Sequence, residues 1–365
     1  MTHRTTPIML PGLLLVLGGA LLAPALADEV PFDDPRWVFD ADSAEIVEHH
    51  GRVALRLDGG RAWLPEVELT DGVVEFDIAF GPERGFSGAM FRLGEPGDFE
   101  NFYFRPHQSG QPDASQYTPE VQGVSGWQLY YAPAFAPPFT YRFDEWMHVE
   151  IAFSGSRATV SLDDEVHLIP TLKRPVRAGS IGLRSGFAPA HFANFEFREG
   201  VPDDFPAADP PPVEPLEVEG LIRSWRISQA FPPDQRPALT LDEALLSRLA
   251  WTRREVEPEG FVNLAWSEGV DDENRAVLAE LTIDSEEPGH RLLRFGYSDV
   301  VRVFVDGVEV YRGDNTYRSR DYRYLGTIGL FDAIVVPVAA GETQVTFVVA
   351  ENFGGWGVMA AVTNL

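Results

Sequence analysis

The chain has 365 residues, 44% of them hydrophobic and 12% aromatic, with 33 Gly, 29 Pro and no Cys. That apolar content suffices for more than one packed core and excludes a disordered tail, and the missing cysteines exclude a disulfide framework, a thiolate zinc site and a cysteine nucleophile. Against 56 acidic residues stand 29 basic ones, a formal charge of -27, so the surface repels phosphate backbones and nucleic acid is not an expected partner. Lys173 is the one lysine in the chain, which argues against most Schiff-base and P-loop chemistry.

Residues 1–27 read as a secretory leader: His3 and Arg4, an apolar stretch over 8–23, then Ala25-Leu26-Ala27 before Asp28. Pro11, Gly12, Gly18 and Gly19 interrupt the stretch, and a span needs about 20 apolar residues. No stable membrane span is therefore expected after processing, and the mature protein is expected to be secreted or periplasmic. Between 32 and 197, short apolar-alternating runs recur between Gly, Pro and Asp punctuation, clearest over 73–80, 100–105, 146–153, 158–162 and 191–197. This pattern predicts a β-sandwich over 32–198. Pro202, Pro206, Pro210, Pro211, Pro212 and Pro215, set among aspartates, neither pack a core nor continue a ladder, so 199–215 reads as a linker.

A second strand-rich unit covers 216–365. One helix is expected over 241–249, with Asp242 and Glu243 near its start. Strands follow over 276–283, 291–295, 300–305, 309–311, 344–350 and 357–362. Asp306-Gly307 supplies the positive φ angles of a two-residue hairpin. The expected fold class is all-β: two β-sandwich (jelly-roll) domains joined by a Pro/Asp-rich linker.

Polar residues concentrate between 85 and 131. Alternation over 98–107 puts Phe102 and Phe104 on one face and Asn101, Tyr103, Arg105 and His107 on the other. A polar loop with Gln108, Asp113 and Gln116 follows, then Trp127-Gln128-Leu129-Tyr130-Tyr131. Sugars present flat C–H faces and rings of hydroxyls, which suit aromatic platforms beside Asn, Gln, Arg and Asp. Asn101, Tyr103, Arg105, Gln108, Gln116, Trp127, Gln128 and Tyr130 are the candidate sugar contacts. Trp127 and Tyr130 lie three apart and face opposite ways, so one of them is expected in the core. Arg105 is otherwise expected in an ion pair with Glu100 or Asp113.

The strand succession, with FRPHQSGQPDASQY and WQLYY, resembles the concanavalin A-like lectin/glucanase superfamily over about residues 32–198. Within it the resemblance is to exported bacterial members related to the 3-keto-disaccharide hydrolase (laminin-G-like jelly-roll) group. Retaining glucanases of that superfamily carry ExDxE or ExDxxE on one strand, since nucleophile and acid stand roughly 5 Å apart. Here Glu75-Phe76-Asp77-Ile78-Ala79-Phe80 begins that pattern without the second glutamate. Glu75 and Asp77 are therefore expected as an edge-facing, solvated pair. His49 and His50 would face opposite ways on a strand, and His148 reads as a packing or surface residue.

The second unit carries Phe295-Gly296-Tyr297-Ser298-Asp299, a run from Tyr317 to Tyr324 with Arg318, Arg320, Tyr322 and Arg323, and Glu351-Asn352-Phe353-Gly354-Gly355-Trp356-Gly357. With the 303–311 hairpin these resemble the galactose-binding-domain-like jelly roll appended to many glycosidases. Trp356 is expected to cap the barrel end, its glycines shaping a turn, and the arginines to pair with acidic loops. Asp271-Asp272-Glu273-Asn274 and Asp203-Asp204 lack the spacing of a calcium loop and read as solvated acidic turns, so no metal or other cofactor is expected, structural calcium being the one candidate.

Three functions fit. The leading one is an exported carbohydrate-binding or carbohydrate-active protein with its glycan surface on the first sandwich. A glycoside hydrolase or lyase would use Glu100, His107 or Asp113 as acid/base groups, Arg105 stabilising negative charge. A non-catalytic protein–protein module would show a broad apolar patch and no concave polar pocket.

Overall fold

The computed structural model describes residues 27–365 apart from Pro96, residues 207–213, Ala238, Asp242 and Tyr322. All but the last residue of the expected leader, and the proline-rich centre of the expected linker, lie outside the described residues. The described chain is all-β, and its paired strands are antiparallel. One curled sheet of thirteen strands takes those from Asp28 to Glu199, and two further sheets, of six and four strands, take those from Ser224 to Asn364. No helix among the described residues is long and apolar enough to cross a membrane.

The thirteen-stranded sheet folds over on itself through the 18-residue strand Arg52–Leu69. Its first part pairs with Ala190–Glu199 and its second with Gly179–Ser185. The change of partner falls at Gly59-Gly60, with φ of 57° and 140°. A Cβ on Gly60 would stand 2.2 Å from the Asp40 carbonyl oxygen and 2.4 Å from the Ala41 Cα, so this corner, where the neighbouring strand Val38–His49 lies against the backbone, admits only glycine. That neighbour enters through a tight turn at His50-Gly51, φ 45° and 75°.

The folded-over parts face each other across an aromatic core. Phe91, on Ser87–Leu93, stacks on Phe153, on Met147–Ser154, with centroids 4.7 Å apart, although five strand steps separate them in the sheet. Tyr141 meets Phe80 edge-on at 5.2 Å and Phe104 at 6.0 Å. The C-terminal sheets form a second sandwich: Phe347 of the six-stranded sheet meets Phe295 of the four-stranded one at 5.4 Å. The expected hairpin joins Val300–Val305 to Val308–Asp314, with Asp306 at φ 46° and Gly307 at φ 80°. The helix expected over 241–249 is shortened to Glu243–Leu246. A helix that short does not sustain itself, and the chain instead enters the strand Trp251–Glu255, paired with Ser224–Ser228.

The two halves are packed together. Phe261, Ile328 and Met359 join the N-terminal apolar core, while Val121 and Val124 join the C-terminal one. Replacing Gly60 with Ala should lower unfolding free energy by about 3 kcal/mol through corner strain and overpacking. Denaturant unfolding measures it, and an unchanged midpoint would show that the corner relaxes freely.

Candidate functional site

A cleft of about 590 Å³ lies between the two halves. Its N-terminal wall starts from the strand Phe99–Phe104. Phe102 and Phe104 enter the core, and the intervening Asn101 and Tyr103, with Arg105 just beyond, line the cleft. Glu120 stands opposite Phe99 on the next strand, and the Asn101 amide donates to it at 3.4 Å. Arg184 approaches Glu120 at 3.5 Å. Beyond them Phe86 and Phe187, centroids 5.4 Å apart, and Arg84 complete this wall.

The opposite wall comes from the C-terminal half: Asp272, Arg275, Tyr317 and the 351–354 loop. Asp299 shapes that loop, its carboxylate accepting the backbone N–H groups of Asn352 at 2.7 Å and Phe353 at 2.5 Å. Trp127, Tyr317 and Phe353 meet edge-on at 6.0–6.1 Å, so rings from both halves form one cluster where the walls join. Gly354, at φ 97°, lets the indole close in: a Cβ there would stand 2.3 Å from the Trp127 Nε1.

Two wall carboxyls are held above the usual range. Burial pushes Glu120 up, against the opposing pull of Arg184. Burial, followed by the charge of neighbouring Asp299, pushes Glu351 up well beyond it, with Arg275 opposing. Glu120 and Glu351 thus retain protons more readily than surface carboxylates.

The structure separates the residues singled out in sequence. Asn101, Tyr103, Arg105 and Trp127 line the cleft. Glu100, expected as an acid/base group, lies on the core face with Phe102 and Phe104. It is fully buried and accepts a hydrogen bond from the Tyr117 hydroxyl at 2.7 Å, and burial raises its pKa. Alternation along the strand places it there. His107 meets Phe86 edge-on at 5.6 Å and Asp113 accepts from Arg105 Nη1 at 2.5 Å, but neither lines the cleft, and Gln108 in the short Pro106–Gln108 turn stays outside it too. Asp113 therefore orients Arg105, the ion-pair alternative, while burial holds the His107 pKa below its ordinary value.

Gln116, Gln128 and Tyr130 serve the framework. Gln116 accepts from the Tyr103 hydroxyl at 2.9 Å and donates to the carbonyls of Trp127 and Tyr130, bracing the cleft wall from behind. Gln128, fully buried, donates to the Leu325 carbonyl at 2.6 Å and accepts from the Ser298 hydroxyl at 2.9 Å. Tyr130 is the core member of the Trp127/Tyr130 pair, donating to Glu257 at 2.6 Å. Beside it the lone lysine crosses between the halves: Lys173 Nζ lies 2.7 Å from Glu259 and 3.2 Å from Glu257, over the rings of Tyr130 and Phe135. Its side chain is 4% exposed.

Trp356 is buried in the C-terminal core, and the backbone beside it receives residues 127–129 of the other half, Gln128 N–H donating to the Gly354 carbonyl at 2.9 Å. Arg320 pairs with Asp332 and Arg323 with Asp321, while Tyr322 lies outside the described residues. Asp271 accepts the backbone N–H groups of Glu273 and Asn274, closing an acidic turn.

Glu75 and Asp77 depart from expectation. Their strand, Gly72–Ala79, is interior to the sheet, between Met147–Ser154 and Ala190–Glu199. Glu75 pairs with Arg198, and Asp77, 7% exposed, is held by Arg52, by Asn194 at 2.6 Å and by His148 Nδ1 at 3.1 Å. Burial alone would raise Asp77, but these partners outweigh it and hold the carboxyl low. The hydrogen bond to Asp77 raises His148. His49 and His50 sit side by side, centroids 4.0 Å apart, because His50 occupies the turn rather than the strand.

No family model matches the chain, and no curated protein matches it either. Among solved structures, carbohydrate binding module CBM66 from Bacillus subtilis is similar at 16% identity and a TM-score of 0.34, over 45% of this chain and 96% of that one. A Bacillus subtilis protein of unknown function with a galectin-like fold matches at 14% identity and a TM-score of 0.33, covering 45% and 90%. A Bacillus licheniformis beta-glucanase matches at 10% and 0.34, covering 49% and 99%.

Lys173→Met should destabilise the protein by about 3 kcal/mol, because it strands buried carboxylates. Adding Glu257→Gln should restore part of that in denaturant titrations; a variant as stable as the parent would remove the lysine from any bracing role. The Asp77–His148 pair has a pH signature. The raised His148 stabilises fully below its unfolded pKa near 6.5 and loses that contribution as pH rises through its folded value; the lowered Asp77 stabilises above about 4 and loses its share as pH falls. His148→Ala should therefore reduce Tm more at a pH between those limits than at mildly alkaline pH. An equal reduction at both would contradict the pairing.

Proposed function

We propose that the chain is an exported carbohydrate-binding protein whose glycan surface is the cleft between its halves. One observation carries this: a concave site lined both by aromatic rings, Trp127, Tyr317, Phe353, Phe86 and Phe187, and by the polar Asn101, Arg105, Arg184 and Glu120. Rings accept the C–H faces of a pyranose, and the donors and acceptors lining the same cleft take its hydroxyls. The leader-like residues 1–27 support export, and the joined walls make the two halves one binding unit. A purely interacting module predicts a broad apolar patch instead.

A hydrolase or lyase version of this reading moves its acid/base groups from Glu100, His107 and Asp113 to Glu120 and Glu351. Both line the cleft with carboxyls shifted toward the protonated form, the state a general acid needs.

The test is a glycan array and polysaccharide-release screen of the mature chain beside Trp127→Ala and Arg105→Ala. Trp127→Ala should weaken retention about thirtyfold, the effect of a central aromatic anchor. Retention without cleavage supports the lectin reading, and oligosaccharide release that Glu120→Gln or Glu351→Gln abolishes supports the enzyme. No response to any glycan from the folded parent protein would overturn both.

A further inference from the structure

Three of the four arginines that line the cleft gather on one wall, against the charge of the chain as a whole. The protein carries -27 formal charges, yet Arg84, Arg105 and Arg184 all line the N-terminal wall, around Phe86 and Phe187. Arg84 lies 4.8 Å over the Phe187 ring and 5.6 Å over Phe86, Arg105 lies 5.6 Å over Phe86, and Arg84 has no carboxylate partner among the described residues. Arg105 is tied to Asp113 through Nη1, while its Nε is buried without a partner. Arg184 has only a loose approach to Glu120, whose carboxyl burial holds above the usual range.

Phe187 adds a second sign that the wall is built for a ligand. It is 75% exposed with φ 68°, a left-handed conformation that large side chains rarely adopt. The isolated bridge between Gly186 and Ala188 holds it there, and its ring stands under Arg84 rather than in the core. A guanidinium lying over a ring keeps its N–H edge free and, being donor-only, is complementary to an oxyanion such as a carboxylate or sulfate. A neutral sugar asks for donors and acceptors together; this wall is weighted toward donors.

We propose that the cleft selects an acidic glycan, one bearing carboxylate or sulfate groups, with a sugar face on Phe86 and Phe187 and the anion held by Arg84, Arg105 and Arg184. This rests on the glycan reading above and adds the substrate class. The cluster sits where neighbouring acids would otherwise repel such a ligand, so the arginines determine whether it enters at all.

Calorimetric titration of the full mature chain tests it with four probes: trigalacturonate and its methyl ester, and a sulfated galactose trisaccharide and its desulfated form. At low salt the acidic member of at least one pair should bind about tenfold more tightly than its neutral counterpart. The advantage should shrink at high salt. Arg84→Gln, at an exposed position that leaves folding intact, should bring the acidic-to-neutral ratio toward one; Arg84→Lys should keep part of it, and Arg253→Gln, which removes an exposed arginine elsewhere, should leave it unchanged. Preference within the uronate pair assigns a carboxylate, and within the sulfated pair a sulfate. Equal binding of acidic and neutral probes, or a ratio untouched by Arg84→Gln, overturns the charge selection and leaves the glycan reading standing. Binding of none of the four, together with a silent glycan array, overturns both.

Discussion

Everything at the cleft depends on how the two halves are locked, and that lock turns on one buried cation. Lys173 comes from the N-terminal half, Glu257 and Glu259 from the C-terminal half, and Tyr130 hydrogen-bonds the same Glu257. A buried ion pair adds little net stability over an apolar substitute but tolerates few alternatives, since a shift that separates the charges leaves each one desolvated. Its contribution here is therefore to geometry. Apolar packing of Phe261, Ile328 and Met359 against the N-terminal core supplies the adhesion, and the lysine with its two glutamates restricts the angle at which that adhesion occurs.

From that lock the walls follow. Residues 127–130 leave it in two directions: Gln128 and Tyr130 inward, to Ser298, Leu325 and Glu257, and Trp127 outward, to Tyr317 and Phe353. Gly354 and Gly355 make this possible, since a Cβ at either would meet Trp127 or Gln128 at 3.0 Å or less. The glycines around Trp356 thus serve an approach between protein segments. The indole they border is core, and the indole exposed to the cleft comes from the other half of the chain.

Much of this architecture was legible in the sequence where a local pattern carried it. The apolar, β-branched runs near 73–80, 147–153, 300–305 and 344–350 are strands, and Asp306-Gly307 announced its turn. The long hairpin through Val38–His49 and Arg52–Leu69 was not legible, because Gly59-Gly60 and Pro65 punctuate it like a loop although the glycines make a corner within one strand. At the site, alternation put Asn101 and Tyr103 opposite Phe102 and Phe104. The same count placed Glu100 with the phenylalanines, so its seclusion was available from the pattern. Arg84, Arg184, Glu120 and Phe187 were not, because strand pairing rather than sequence proximity brings them beside residue 101. Glu351 and Phe353 lie more than two hundred residues away, and no spacing rule reaches that far.

Charge placement divides the buried carboxylates by task. Asp77 and Glu75 look like the start of a catalytic strand, but each is surrounded by cations or hydrogen-bond donors: Arg52, His148 and Asn194 on one, Arg198 on the other. Both carboxylates are committed, their oxygens already engaged, and Asp77 is held below the usual range by its partners, which suits a structural tie across three strands. Glu120 and Glu351 are under-compensated: each has an arginine at hand, yet burial dominates, and Glu351 additionally faces Asp299 and has an unpartnered oxygen. An under-compensated carboxyl in a folded protein is costly unless something arrives to use it. That both such groups on the walls open onto the same cleft as the stacked arginines sets this cavity apart from the Asp77 tie, because its polar groups are left partly unsatisfied in a way an entering hydroxylated, charged ligand would complete.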